Sequence, residues 1–325
     1  MSAASAPVGV LLMAYGGPDS LQDVPGYLAD IRAGRPTPRA IVAEIAEHYR
    51  MIGGCSPLKA ASERQLAALA GELDPAAWRC YLGMRHWSPW IEEVVGAMAA
   101  DGIRRAVGIV LAPHYSSLNT ERYFQKARLG VELYRAPIQL TFVKSWHDSP
   151  PLLDALARRV TEGLARWPQS QRSAVHVVFC AHSLPARVRA EGDPYETQLR
   201  ETANAVAVRA DLSDDRWSWS YMSAGKSPEP WMGPDLLEHL DALHVQGVKA
   251  VLCVPVGFVA EHVEVLYDVD IEAQRRAKEI GIRLERPPSL GDDPGLIRAM
   301  AEAVTAQARA AGFLEAGFLE KEGRG

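Results

Sequence analysis

A histidine and a row of acidic residues in the second half of the chain have side chains suited to metal and proton chemistry. His182 ends an apolar, strand-like run. Glu264, Asp268 and Glu272 follow later and recur every four residues, with no basic residue among them. Carboxylate oxygens bind hydrated divalent cations, and Fe(II) commonly takes imidazole and carboxylate ligands. We therefore predict a path for a divalent metal along these four residues, with His182 and Glu264 as the inner ligands.

The spacing of the acids also bears on the helix that carries them. Like charges four residues apart repel each other on one helix face, so a solvated acidic face is the alternative interpretation. On an α-helix such residues drift by about 40° per step, whereas a local π-bulge would bring them nearer to one line. The residues between the acids are mostly apolar, as in Val265-Leu266-Tyr267. We favour a packed helix whose acids lead inward.

Short β-rich apolar runs alternate with longer helical patterns along the whole chain, which is typical of α/β proteins with parallel sheets. Each half contains four such runs. We predict two similar, doubly wound α/β domains, each with a four-stranded parallel sheet, over residues 1–146 and 147–312, followed by a tail at 313–325. The predicted strands are Val8–Met13, Trp78–Gly83, Ala106–Ala112, Ile138–Val143, Val175–Cys180, Trp217–Tyr221, Ala250–Val256 and Ile282–Glu285.

Ligands of open α/β sheets bind beyond the carboxyl ends of the strands, so the polar residues at those ends are the first candidates for a site. A cleft lined from both halves is expected. Helix starts are predicted at Ser56-Pro57 and Ser88-Pro89, where a capping hydroxyl precedes a proline. The polar residues at predicted strand ends are Tyr15, His114, Tyr115, His182, Glu261, His262 and Glu264.

Several function classes lack their sequence signatures. The chain has no GxGxxG, no GxxxxGK[ST] and no GxSxG motif, which argues against dinucleotide, P-loop and serine-hydrolase chemistry. With 40 acids against 35 bases and a formal charge of −5, no basic stripe is available for nucleic acid. The four cysteines stand singly, so no zinc motif is visible.

The chain shows no membrane or secretion signal. No uncharged apolar run reaches the 18 or so residues of a membrane span. The opening stretch, Met1–Ala14, lacks the basic n-region of a secretory signal. We expect a cytoplasmic protein without a transmembrane segment. The missing signal also weakens an alternative, a duplicated periplasmic metal-binding protein.

Several long motifs, in order, resemble those of ferrochelatases. The similarity covers about residues 8 to 310. The segments that carry it are Met13-Ala14-Tyr15-Gly16-Gly17-Pro18, Tyr49 to Leu58, Phe179 to Pro185, Pro230-Trp231-Met232-Gly233-Pro234 and Glu261 to Glu272.

The resemblance implies a chelatase fold of two Rossmann-like domains, with a porphyrin in the cleft between them and the last helix packing back on the first domain. His182 would accept pyrrole protons, and Glu264 with His182 would bind or relay the metal. Asp268 and Glu272 would complete the metal path. Fe(II) is then a substrate, and no prosthetic group is expected.

Tyr15 makes the chain resemble the bacterial branch that uses coproporphyrin III, because that branch carries a tyrosine opposite the histidine. The four propionates of this porphyrin call for hydrogen-bond donors, which the motifs place at Arg32, Tyr49, Ser56 and Tyr123. A protoporphyrin IX ferrochelatase and a noncatalytic porphyrin or haem carrier are the alternatives. We expect a monomer, and a transient contact with another haem-pathway enzyme is left open.

Three features depart from the family pattern. His48 stands where relatives often have an arginine, and Cys180 stands where a serine or threonine is usual. Residues 311–325 contain no cysteine, so the iron-sulfur cluster of some relatives is not expected.

Overall fold

The computed structural model describes residues 6–225 and 227–314, and in these residues eight parallel strands form two four-stranded sheets. The first contains β1 (Val8–Ala14), β2 (Trp78–Met84), β3 (Arg105–Val110) and β4 (Gln139–Phe142), in the order β2-β1-β3-β4. The second contains β5 (His176–His182), β6 (Trp217–Met222), β7 (Ala250–Val254) and β8 (Arg283–Glu285), in the order β6-β5-β7-β8. The two orders are equivalent, so the predicted fold class is confirmed.

Helices cover the sheets and connect the parallel strands. One long π-helix, Glu264–Ala273, follows β7 and continues into an α-helix. The α-helices are α1 (Val24–Ile31), α2 (Arg39–Met51), α3 (Leu58–Glu72), α4 (Ile91–Ala100), α5 (Thr120–Leu133), α6 (Pro150–Leu164), α7 (Arg187–Ala190), α8 (Tyr195–Arg209), α9 (Leu236–Val245), α10 (Gln274–Glu279) and α11 (Pro294–Ala310), and short 3-10 turns lie at Leu21–Asp23, Gln169–Ala174 and Asp214–Arg216.

The strand ends differ from the predicted ones at two places that matter for the site. β5 continues past Cys180 to His182, because its partner strand β6 is long enough to pair Met222 with His182. β7 ends at Val254 because Pro255 has no amide hydrogen to donate to the next strand. His182 is therefore the last residue of a strand and is held by the sheet itself.

Of the two predicted helix starts, one is wrong. α3 begins directly after Ser56-Pro57, and Ser56 Oγ accepts a hydrogen bond from Leu58 N at 3.3 Å. Ser88 does not cap a helix, because α4 begins only at Ile91 and has Trp90 as its N-cap residue.

One hydrophobic cluster contains residues from both sheets and joins them. Leu12 and Ile109 of the first sheet, Phe179 of the second, Leu156 of α6 and Met300 of α11 all belong to it. α6 packs between α8 and α11, and α11 lies against α3, β3 and β4. The last long helix thus packs on the first sheet although it follows the second.

Side-chain bonds reinforce the contact between the last helix and the first sheet. Gln307 Nε2 donates to Thr141 Oγ1 at 2.5 Å, and Arg105 donates to the Phe313 carbonyl oxygen at 3.0 Å. The domain division at residue 146 stays a prediction, and the predicted tail lies outside the described residues from position 315 onward. Within the described segments, no helix is long and apolar enough to cross a membrane.

Candidate active site

The centre of the candidate site is a hydrogen-bonded pair, His182 and Glu264. His182 Nδ1 lies 2.8 Å from Glu264 Oε2. The imidazole comes from the end of β5, and the carboxylate is the first residue of the π-helix after β7. β5 and β7 are neighbouring parallel strands, so both side chains leave the same edge of the second sheet. About a third of each side chain is exposed, which leaves the pair open to a ligand.

The electrostatics of the pair favour an ionised carboxylate beside a basic imidazole. Burial disfavours the charged carboxylate, but the charge and hydrogen bond of His182, with a smaller contribution from His262, outweigh it, so the pKa of Glu264 lies well below its ordinary value. Burial would likewise lower the pKa of His182, yet the nearby Glu264 and Asp268 raise it. His182 therefore donates through Nδ1–H, and its neutral form carries a lone pair on Nε2. That nitrogen can accept a proton.

A second imidazole lies near the same carboxylate oxygen of Glu264. His262 Nδ1 lies 3.0 Å from the Ala260 carbonyl oxygen, which can only accept, so the His262 proton sits on Nδ1. Its Nε2 is then 3.8 Å from Glu264 Oε2. Glu264 Oε2 thus has two imidazoles within 4 Å.

The acidic row lies on the π-helix and runs from the exposed surface toward His182. Glu272 is exposed, while Asp268 and Glu264 are half-buried. The entire segment is a π-helix, where a local bulge was the prediction. Burial and the Glu264 charge raise the pKa of Asp268 to about 7, although Ser223 Oγ donates a hydrogen bond to its carboxylate. Among the described residues, no group of three or more His, Cys, Asp or Glu side chains is arranged to hold a metal ion.

Tyr15 follows β1 and belongs to the first half of the chain. Burial raises the pKa of Tyr15 to about 12, the Arg85 charge opposes this, and the Glu264 charge adds to it. The guanidinium of Arg85 lies 5.8 Å from the centre of the Tyr15 ring, and the His86 ring centroid lies 4.7 Å from it. The charge of a second-half carboxylate thus acts on a phenol of the first half.

Two predicted porphyrin-binding residues, Tyr49 and Ser56, converge on one backbone position. A Cβ atom placed on Gly17 would lie 2.3 Å from Ser56 Oγ and 3.7 Å from the Tyr49 hydroxyl. Glycine at position 17 is what lets the chain after Tyr15 pass these side chains. Tyr49 is buried, and burial, together with Glu264, raises its pKa although the Tyr27 hydroxyl opposes this.

The other two predicted porphyrin-binding residues lie in different surroundings. Tyr123 is buried in α5, with the Arg85 guanidinium 5.3 Å from its ring centre. Arg32 is the C-cap residue of α1, and within the described residues its Nε atom is buried without a hydrogen-bond partner. Tyr123 is thus linked to Tyr15 through Arg85. Among the described residues, Arg32 has no such link to Tyr15.

The strand-end residues His114 and Tyr115 connect the two halves instead of joining the His182 pair. His114 is buried, and its Nε2 lies 2.9 Å from Thr202 Oγ1 in α8. The Tyr115 amide donates to Gln198 Oε1 at 2.7 Å. The polar residues that follow the strands therefore do not all face one ligand.

Three residues near the site were not predicted from the sequence. Arg85 and His86 follow β2 directly, so the strand-end rule could have found them. His86 is buried with its Nδ1 2.6 Å from Asp30 Oδ2, and burial lowers its pKa to about 4 although Asp30 opposes this. Ser223 follows β6 in the same way and donates to Asp268.

Comparison with known proteins shows the family of the chain. A family model described as Ferrochelatase matches residues 7–308. A ferrochelatase of Deinococcus radiodurans is 50% identical over 304 residues, covering 93% of this chain and 96% of that protein. A protein of Geobacillus kaustophilus named coproporphyrin III ferrochelatase is 40% identical over 301 residues, covering 91% of this chain and 94% of that one.

Solved chelatase structures have the same fold. The sirohydrochlorin chelatase SirB from Bacillus subtilis subspecies spizizenii, in complex with cobalt, aligns with a TM-score of 0.57 at 13% identity, covering 95% of this chain and 98% of that chain. SirB from Bacillus subtilis with Fe3+ aligns with a TM-score of 0.60 at 11% identity, covering 94% and 98%. At such identities the likeness establishes the fold, and the family match and curated relatives establish the rest: the chain belongs to the ferrochelatases, the enzymes that insert iron into a porphyrin in haem synthesis.

Proposed function

We propose that this ferrochelatase inserts ferrous iron into coproporphyrin III to give coprohaem. The observation that carries the proposal is the His182–Glu264 pair at the edge of the second sheet, with 2.8 Å between Nδ1 and Oε2. The Glu264 charge also acts on Tyr15 from the first half. A flat ring between the two halves would have the imidazole and carboxylate on one side and the phenol on the other. We further propose a cytoplasmic monomer.

The pair suits the proton chemistry of metal insertion. Insertion of Fe(II) into a free-base porphyrin releases two pyrrole protons. The lone pair on His182 Nε2 accepts these protons one at a time, each passing from the partly exposed ring to water before the next is taken up, and the ionised Glu264 stabilises the imidazolium each time.

The acidic row suits the delivery of the metal. Glu272 is exposed, Asp268 lies one step inward, and Glu264 contacts His182. Hydrated Fe(II) would exchange water for carboxylate oxygens along this row. Charge on the metal would offset the burial and the Glu264 repulsion that together raise the pKa of Asp268 to about 7.

Two further observations support coproporphyrin III as the porphyrin. Relatives at about 40% identity carry the name coproporphyrin III ferrochelatase, although the 50% identical relative is named only ferrochelatase. Arg32, Tyr49, Ser56 and Tyr123 supply the polar groups that propionates need, and the buried Arg32 Nε lacks a partner among the described residues. A buried donor without a partner is costly, and a carboxylate would satisfy it.

An anaerobic insertion assay tests the proposal. The purified protein is given Fe(II) with either coproporphyrin III or protoporphyrin IX, and the visible spectrum follows metallation. Coproporphyrin III should be the better substrate by kcat/KM. A preference for protoporphyrin IX would overturn the choice of porphyrin. Tight binding of both rings without metallation would favour a noncatalytic carrier.

A further inference from the structure

Arg286, the residue directly after β8, carries a guanidinium that is buried beside the π-helix. Its side chain is only 8% exposed. Nε and Nη2 donate to the two carboxylate oxygens of Asp270 at 2.7 and 2.6 Å, and Nη1 donates to Glu261 Oε1 at 3.0 Å. A bidentate arginine–carboxylate pair fixes orientation as well as adding energy. One cation therefore holds two acids in a set geometry.

These two acids flank the site residues along the chain. Glu261 lies three residues before Glu264, and Asp270 lies two residues after Asp268. Glu261 is held a second time, because its Oε1 also accepts a hydrogen bond from the Ser289 amide at 2.9 Å. The segment after β8 thus forms hydrogen bonds with the chain on both sides of Glu264 and Asp268.

A π-helix of this length needs such support. π-helices are rare and occur mostly as single turns within α-helices. Here the wider turn runs over Glu264–Ala273 and passes directly into α10. A return to 3.6 residues per turn would rotate Glu264 and Asp268 about the helix axis. Anchors at Glu261 and Asp270 oppose that rotation.

We propose that Arg286 is a positioning residue of the active site. By holding Glu261 and Asp270 it keeps the π-helix in the register that brings Glu264 to His182 and Asp268 to Ser223. The inference rests on the proposed function and adds to it a residue that touches neither iron nor porphyrin. An ion pair that merely attached β8 to the helix would contribute to stability but not to the alignment of the carboxylates.

Two substitutions and a matched control test the proposal. Arg286→Lys keeps the charge but loses the bidentate fork, and Asp270→Asn weakens the same pair from the other side. Arg283→Lys is the control, because Arg283 lies three residues earlier, is half-exposed and pairs with Glu285. The readouts are kcat and KM for iron insertion, the Kd for metal-free porphyrin, and hydrogen exchange of the π-helix amides.

Arg286→Lys and Asp270→Asn should each lower kcat by about 10- to 100-fold, the loss expected from misplaced catalytic groups. Porphyrin Kd should stay at the wild-type value, and amides of Glu264–Ala273 should exchange faster while the strands do not change. Arg283→Lys should alter none of these.

Wild-type kcat and wild-type exchange in both substitutions would overturn the proposal. So would a parallel fall of porphyrin affinity, kcat and melting temperature, since that pattern means general destabilisation. If Arg286→Lys does not fold, Asp270→Asn decides, because it leaves Arg286 paired with Glu261. A wild-type protein that never metallates a porphyrin would instead overturn the proposed function. Hydrogen exchange would still test whether Arg286 supports the π-helix.

Discussion

The imidazole ring of His48, in α2, stacks on the phenol ring of Tyr267, in the π-helix, with 3.6 Å between ring centroids and 14° between ring planes. The contact joins the first half of the chain to the helix that carries the acidic row. His48 is also one of the positions at which we expect a departure from the family pattern.

His48→Ala should lower the free energy of unfolding by about 1 kcal/mol, the contribution of a well-placed aromatic pair. Urea denaturation followed by circular dichroism measures the change. Tyr267→Phe retains a ring for the stack and is the matched control, with stability close to that of the wild type. Equal losses in both variants would mean that the tyrosine hydroxyl, not the stack, carries the effect.

His182→Ala should reduce kcat for iron insertion by about 100-fold or more, because the group that accepts the pyrrole protons is removed. Titration of metal-free coproporphyrin III should give a nearly unchanged Kd. Glu264→Gln keeps a hydrogen-bond acceptor beside His182 but removes the charge, so it should also lower kcat. Undiminished turnover in His182→Ala would contradict the assignment.

Tyr15→Phe should mainly change the product complex. If the phenol oxygen binds iron in the product, the visible spectrum of bound coprohaem should shift and its release rate should change. Burial already raises the pKa of Tyr15 to about 12, with Glu264 adding to this, so a bound metal would have to displace the phenol proton. An identical product spectrum in the variant would rule out the axial role.

Acidification should destabilise the protein through His114. Burial lowers the pKa of His114 from 6.5 to about 3, so the unfolded chain binds a proton that the folded chain does not. Stability from the neutral imidazole is complete above pH 6.5 and is lost as the pH falls toward 3, by up to roughly 5 kcal/mol. His114→Gln should flatten the dependence of unfolding free energy on pH over that range. Parallel curves for variant and wild type would refute this.

The fold could be predicted from the sequence because its signals are local. A buried parallel strand appears as a short apolar run, and the eight predicted runs lie on the eight observed strands within the described residues. Boundaries were less accurate where pairing decides them. β5 reaches His182 because β6 offers Met222 as a partner, which no property of the β5 segment reveals.

The candidate site could be predicted only in part, because the polar residues that follow strands do not all reach the same ligand. His182 ends β5, Glu264 begins the π-helix after the neighbouring strand β7, and the two side chains do meet. His114 also follows a strand, β3, yet its Nε2 contacts Thr202 from the other half. The hydrogen bonds from Arg286 to Asp270 depend on where β8 lies beside the π-helix, and spacing along the chain does not encode that position.

The placement of α11 has a consequence for how the chain can be divided. α11 comes last in the described chain, yet it covers α3, β3 and β4 from the first half. A fragment that stops before the second sheet would expose the apolar surface that Met300 and its neighbours shield. If the backbone were cut near residue 146, the two pieces should remain insoluble when produced separately and recover a native fold only when produced together.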